Sequence, residues 1–141
     1  MNELWLPVTN RFLRDGFAGL CPEEQRFFSI FSLLGELANG GFRRYFLGST
    51  SHLGPAAAEA LAHLGCSRAE TILREAMSVF PDSVVPEDWD ARQAVLDNLD
   101  EDALDQWQRL SELFHLEEDE VLQRLEHYVS GAPGEGRAAG A

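Results

Sequence analysis

The chain has 141 residues, of which 45% are hydrophobic, and a formal net charge of -13, which suits one domain with one core and excludes two ordinary domains. Its longest nearly apolar run, residues 27–34, is far shorter than the roughly 20 residues that cross a bilayer. Residues 1–10 lack the charged and apolar regions of a secretory signal, and Cys21 and Cys66 have no metal-binding or redox spacing. We therefore expect a cytoplasmic protein with reduced thiols and no membrane span.

The negative charge is unevenly distributed along the chain. Residues 1–80 carry eight acidic residues against seven arginines, whereas residues 81–141 carry sixteen against four, and lysine is absent from the whole sequence. Such a C-terminal half repels free nucleic acid and favours a partner with a basic surface. The sequence therefore predicts a protein partner and no direct binding of nucleic acid.

Helical periodicity dominates the chain, and proline and glycine divide it into helical pieces. We predict an all-α fold, a single compact domain of about six to seven helices over residues 1–130, with a disordered tail at residues 131–141. No segment alternates with the period of two that a half-buried strand requires. In chain order, the predicted helices cover about 3–17, a central and most buried piece from Pro22, 55–64, 67–80, 88–99, a piece capped by Asp100, and 117–129.

Three of these predictions name individual side chains. The first helix has Trp5, Val8, Phe12, Leu13 and Phe17 near helical spacing for burial. Ser67 and Glu70 match the capping-box pattern at the start of their helix. Trp89 and Trp107 are predicted to pack in the core, with an exposed Trp89 that anchors a partner as the alternative.

A glycine corner follows the predicted central helix. Asn39, Gly40 and Gly41 occupy positions where two or three residues can need a positive φ, which glycine adopts freely. The three rings of Phe42, Tyr45 and Phe46 then follow at i, i+3 and i+4, so that one helical turn can bury them. Arg43 and Arg44 are expected to face outward or to cap helix carbonyls. This pattern favours a structural corner, with a ligand-binding corner as the alternative.

The same stretch carries a resemblance to a known family. The pattern Glu36-x-x-Asn39-Gly40-Gly41-Phe42-x-x-Tyr45-Phe46, followed by a serine-rich turn and an alanine-rich helix, resembles a bacterial all-helical domain family of mostly unassigned function. The resemblance covers about residues 30–130, and the best-known member of that family is a dimeric DNA-mimic protein. It therefore implies an all-helical fold, DNA mimicry and a homodimer. In residues 47–51 the chain departs from the family, which often has asparagine and glycine there.

DNA mimicry requires carboxylates on a rigid surface, at spacings like those of phosphates. Asp97, Glu101 and Asp105 are four residues apart, about 6 Å per step if one helix continues through them. A cap at Asp100 would instead interrupt that helix and make Glu101 a first-turn acid that complements the helix dipole. The predicted partner-binding residues are Asp97, Glu101, Asp105, Glu112, Glu117, Glu118, Asp119 and Glu120.

Two classes of function remain open. The first is a decoy or inhibitor that occupies the DNA-binding surface of a transcriptional regulator or another basic protein. The second is an immunity-like protein or a helical adaptor whose acidity mainly preserves solubility. We do not expect an enzyme, a cofactor or a metal site, because the four histidines are scattered and no nucleophile or phosphate-binding motif is present.

Overall fold

The computed structural model describes residues 2–131. In this range seven α-helices follow one another, joined by loops and three short 3-10 turns, and no strand occurs. The helices are α1 (Asn2–Asp15), α2 (Pro22–Leu47), α3 (Gly54–His63), α4 (Ser67–Met77), α5 (Trp89–Asp97), α6 (Glu101–His115) and α7 (Glu118–Ser130). The prediction of an all-α domain is confirmed. Of the predicted tail, residues 132–141 lie outside the described residues.

The long helix α2 is the centre of the fold, as predicted. It packs against α1, α3, α6 and α7, and α4 joins the core by packing on α3 and α6. Ile30 and Leu33 are fully buried, and Phe27 is 1% exposed, because apolar residues surround most of the helix. Within residues 2–131, no helix is both long and apolar enough to cross a membrane.

The first helix differs from its prediction at its end and on one face. α1 stops at Asp15 because Gly16 has φ 79°, and Phe17 begins a separate 3-10 turn. Val8 faces the core, but Leu13 is 75% exposed, so its predicted burial is wrong. At 100° per residue, Leu13 lies about 140° around the helix from Val8, so the face that buries Val8 does not bury Leu13.

The predicted capping box at Ser67 is also wrong. The positive φ of Gly65 leads the chain into Cys66 as the N-cap, so that Ser67 is already the first helical residue. The Glu70 carboxylate accepts a hydrogen bond from Arg74 Nε at 2.8 Å instead of reaching back to the helix start. The predicted cap of α6 is correct, because Asp100 Oδ1 accepts from the backbone N–H of Ala103 at 2.8 Å.

The two tryptophans of the C-terminal half have different environments. Trp107 is buried, and its indole Nε1 donates to the carbonyl oxygen of Ala76 at 2.9 Å. Trp89 is 53% exposed, so the prediction that it packs in the core is wrong. It begins α5, a nine-residue helix in which Arg92 is the one buried residue.

Candidate functional site

The glycine corner breaks α2 into two helical parts. Gly40 and Gly41 have non-helical backbone angles. Gly40 is extended at φ 172°, and of the residues 39–41 only Gly41, at φ 72°, has the left-handed φ that favours glycine. A Cβ atom on Gly41 would lie 2.6 Å from Ser111 Oγ, closer than real side chains approach. Gly41 is therefore required both by its backbone angles and by the close approach of α6.

The aromatic residues of the corner pack against the inner face of α6. Phe42, Tyr45 and Phe46 are fully buried. The Phe42 ring meets Phe114 edge to face at 6.0 Å between centroids, and the Phe46 ring stacks on Trp107 at 4.9 Å. These contacts make the corner a packing junction between α2 and α6.

A serine on α6 completes this junction. The backbone N–H of Phe42 donates to Ser111 Oγ at 3.0 Å, and the same hydroxyl donates to the carbonyl oxygen of Trp107 at 2.7 Å. The hydroxyl thus provides an acceptor for the backbone N–H that directly follows the break at Gly41. Sequence reasoning missed Ser111, because nothing in its local spacing indicates a contact with a residue 69 positions away.

The polar residues of the corner point elsewhere. Glu36 accepts a hydrogen bond from Arg44 Nε at 3.3 Å across the break, and Arg43 is exposed. Glu36 and Asn39 line one end of a groove of about 420 Å³ between α1 and α2. The aromatic part of this groove is lined by Trp5, Phe12, Phe28 and Phe31. The aromatic side chains of the corner therefore face α6, whereas the polar side chains of Glu36 and Asn39 border the groove.

The outer face of α6 carries three exposed acidic residues. At 100° per residue, Glu101, Asp105 and Glu112 lie within an arc of about 40°, on the side opposite the buried Trp107 and Leu110. The rise along the helix separates the first two by about 6 Å and the last two by about 10 Å. None of the three has a basic partner among residues 2–131. We call these three residues the acidic face of α6.

Asp97 does not belong to this face. α5 ends at Asp97, residues 98–100 intervene, and Asp100 caps α6. The single helix that would give Asp97, Glu101 and Asp105 a common repeat of about 6 Å does not exist. Asp97 is exposed and instead accepts a hydrogen bond from Gln93 Nε2 at 2.9 Å.

The four acids around the start of α7 are mostly paired. Glu117 contacts Arg68 Nε at 3.4 Å, Glu118 contacts His115 Nδ1 at 3.2 Å, and Glu120 contacts Arg124 Nε at 3.5 Å. Asp119 is exposed and has no basic partner in the described part of the chain. Ion pairs with arginine reduce the negative charge that this cluster presents, whereas the acidic face of α6 forms no ion pair among the described residues.

The thiols show no sign of activation. Burial raises the pKa of the Cys66 thiol, and burial together with the neighbouring Glu23 raises the pKa of Cys21. Raised pKa values keep both thiols protonated and weakly nucleophilic at neutral pH. Within residues 2–131, the His, Cys, Asp and Glu side chains form no group of three that could hold a metal ion.

Comparison with known families identifies the chain. A family model described as DMP19-like protein matches residues 18–132. The chain belongs to the DMP19-like protein family. Searches of curated proteins and of solved structures find no match. The DMP19-like region covers α2 through α7, and therefore contains both the glycine corner and the acidic face of α6, but not α1.

Proposed function

We propose that this DMP19-like protein binds the basic, DNA-binding surface of a protein partner, such as a transcriptional regulator, and competes with DNA for that surface. The observation that carries the proposal is the acidic face of α6, three exposed carboxylates on one helix without basic partners in the described chain. The role requires neither catalysis nor a cofactor.

A rigid support makes these carboxylates suitable for such binding. The glycine corner holds α6 from behind through two ring contacts and the Ser111 hydrogen bond. A helix held in place loses little backbone entropy when it binds, and its carboxylates can displace counterions from a basic surface as DNA does. The spacing of about 6 Å between Glu101 and Asp105 is close to the distance between neighbouring phosphates along a strand.

The charge distribution and the family support the same class of partner. The sixteen acids and four arginines of residues 81–141 produce a negative field that steers a basic protein towards this half of the molecule. The family that the corner motif resembles has a dimeric DNA-mimic protein as its best-known member, which supports competition with DNA. A homodimer of this chain is a prediction that size-exclusion chromatography with light scattering can test.

The test combines affinity capture with a charge-matched control. The immobilised protein is incubated with lysate of the source cell and eluted with duplex DNA, in parallel with a variant carrying Glu101→Gln, Asp105→Asn and Glu112→Gln. The control carries Glu3→Gln, Glu59→Gln and Glu126→Gln, which remove the same charge from exposed positions on α1, α3 and α7. We expect DNA to release a DNA-binding protein from the wild type and the control, and the α6 variant to capture much less of it.

Two results would contradict the proposal. One is a captured partner that duplex DNA does not displace. The other is an equal loss of capture in both triple variants, because net charge alone would then explain the binding.

An adaptor that binds through the α1–α2 groove is the second candidate. The supporting observation is the groove itself, about 420 Å³ with an aromatic lining and with Glu36 and Asn39 at one end. Leu13→Glu places a charge in the groove at a residue that is 75% exposed, so the fold should tolerate it. Loss of the captured partner in this variant, with full capture by the α6 variant, would favour the adaptor over DNA mimicry.

A further inference from the structure

The start of α5 contains a buried arginine with no acidic partner in the described chain. Arg92 is 3% exposed, and its Nη1 donates to the carbonyl oxygens of Pro86 at 2.9 Å and Glu87 at 3.3 Å. Its Nε is buried without a hydrogen-bond partner among the described residues. Arg92 therefore fixes the loop that precedes α5 rather than neutralising a carboxylate.

This arginine also holds the exposed Trp89. The Arg92 guanidinium lies 5.5 Å from the centroid of the Trp89 ring, while 53% of the tryptophan remains exposed. On the other side of Trp89 in sequence, the Asp88 carboxylate caps α5 by accepting from the Ala91 N–H at 2.9 Å. An exposed indole is thus fixed by its neighbours before any partner arrives, which lowers the entropy cost of a contact.

Two acidic residues lie on the face of α5 next to the one that carries this ring, on the side away from Arg92. At 100° per residue, Asp90 and Asp97 lie about 100° and 80° from Trp89 around the helix, and Asp97 is about 12 Å further along it. Both carboxylates are exposed. Their negative charge offsets the positive charge of Arg92 near the ring and attracts a cation to the exposed part of the indole.

We propose that the exposed part of the Trp89 ring receives an arginine side chain of the partner, stacked on the indole and paired with the Asp90 carboxylate. The proposal rests on the proposed function, because it needs a basic protein partner, and it names the group of that partner that docks here. Arginine is favoured over lysine because its planar, weakly hydrated guanidinium stacks on aromatic rings.

The test measures the preference for arginine over lysine with defined probes. Oligo-arginine and oligo-lysine peptides of equal length are titrated into the full chain and its variants, and their dissociation constants are compared. We expect both Trp89→Ala and Trp89→Leu to lower the preference for arginine by about two- to fivefold. The Glu101→Gln, Asp105→Asn, Glu112→Gln variant should weaken both peptides while the preference persists.

The leucine variant separates ring stacking from apolar contact. An unchanged preference in Trp89→Ala, or one retained in Trp89→Leu, would overturn the proposal, provided that thermal unfolding shows both variants to be folded. A Trp89-dependent preference for arginine, together with a captured partner that duplex DNA does not displace, would support this site and contradict DNA mimicry. If duplex DNA displaces the captured partner and the preference for arginine does not depend on Trp89, DNA mimicry is supported and this site is contradicted.

Discussion

The two faces of α6, a helix of 15 residues, have opposite properties: one is buried and apolar, and the other is exposed and acidic. The inner face buries Trp107, Leu110 and Phe114 against the glycine corner and α4, whereas the outer face exposes Glu101 and Glu112 with Asp105 between them. Burial of aromatic side chains stabilises the fold, and exposed carboxylates contribute little to it. Substitutions on the two faces should therefore separate stability from partner binding.

The largest expected effect comes from Gly41→Val. A valine would need φ 72° and would place Cβ 2.6 Å from Ser111 Oγ, so we expect a loss of about 3 kcal/mol or more in the free energy of unfolding. Urea denaturation measures it. The control is Gly35→Ala in the helical part of α2, where an added Cβ meets nothing within 4 Å and should stabilise by about 0.5 to 1 kcal/mol. Normal stability with lost binding in Gly41→Val would contradict the structural role of the corner.

Removal of the Ser111 hydroxyl tests the polar part of the same junction. Ser111→Ala leaves the Phe42 N–H without its acceptor in a partly buried position, and we expect a loss of about 1 to 3 kcal/mol. Ser78→Ala removes an exposed hydroxyl at the end of α4 and should change stability by less than about 0.5 kcal/mol. Equal effects of the two substitutions in chemical denaturation would show that the bond to the corner is unimportant.

Neutralising the acidic face should change stability much less. Glu101→Gln removes a favourable interaction with the helix dipole, while loss of the three charges together relieves repulsion in an acidic molecule, so we expect a net change within about 1 kcal/mol. The melting temperature of the wild type should rise more with added salt than that of the triple variant. If the triple variant unfolds cooperatively but is much less stable than the wild type, these acids are structural.

The smallest effect at neutral pH is expected for Tyr45→Phe. The Tyr45 hydroxyl is buried and has no hydrogen-bond partner among residues 2–131, so its removal should leave stability nearly unchanged. Burial raises the pKa of Tyr45 above that of an unfolded tyrosine, which is about 10.

This shift gives Tyr45 a specific alkaline signature. Ionisation of Tyr45 leaves stability unchanged below about pH 10. Above that value the free energy of unfolding falls by up to about 1.4 kcal/mol per pH unit, because tyrosine ionises in the unfolded chain. Urea denaturation across this range should show a steeper decline for the wild type than for Tyr45→Phe. Parallel declines would mean that Tyr45 ionises in the folded protein.

Local pattern determined much of this fold. The apolar periodicity of α2 predicted the central helix, and Asp100 predicted the start of α6, because each signal acts within a few residues along the chain. Ser67 looked equally suited to cap α4, yet the turn at Gly65 shifted the cap to Cys66. A one-residue displacement of a turn is enough to change which side chain meets the free N–H groups.

By itself the sequence determined the all-α class, the concentration of negative charge in the C-terminal half and the burial of the corner aromatics. Only the tertiary structure decided that Asp97 is separated from the acidic face of α6, that arginines pair with Glu117 and Glu120, and that Trp89 is exposed beside Arg92. Charge and periodicity are local properties of the chain. The partner of a side chain depends on which distant segments packing brings beside it, and Phe42 and Ser111 meet across 69 positions for that reason.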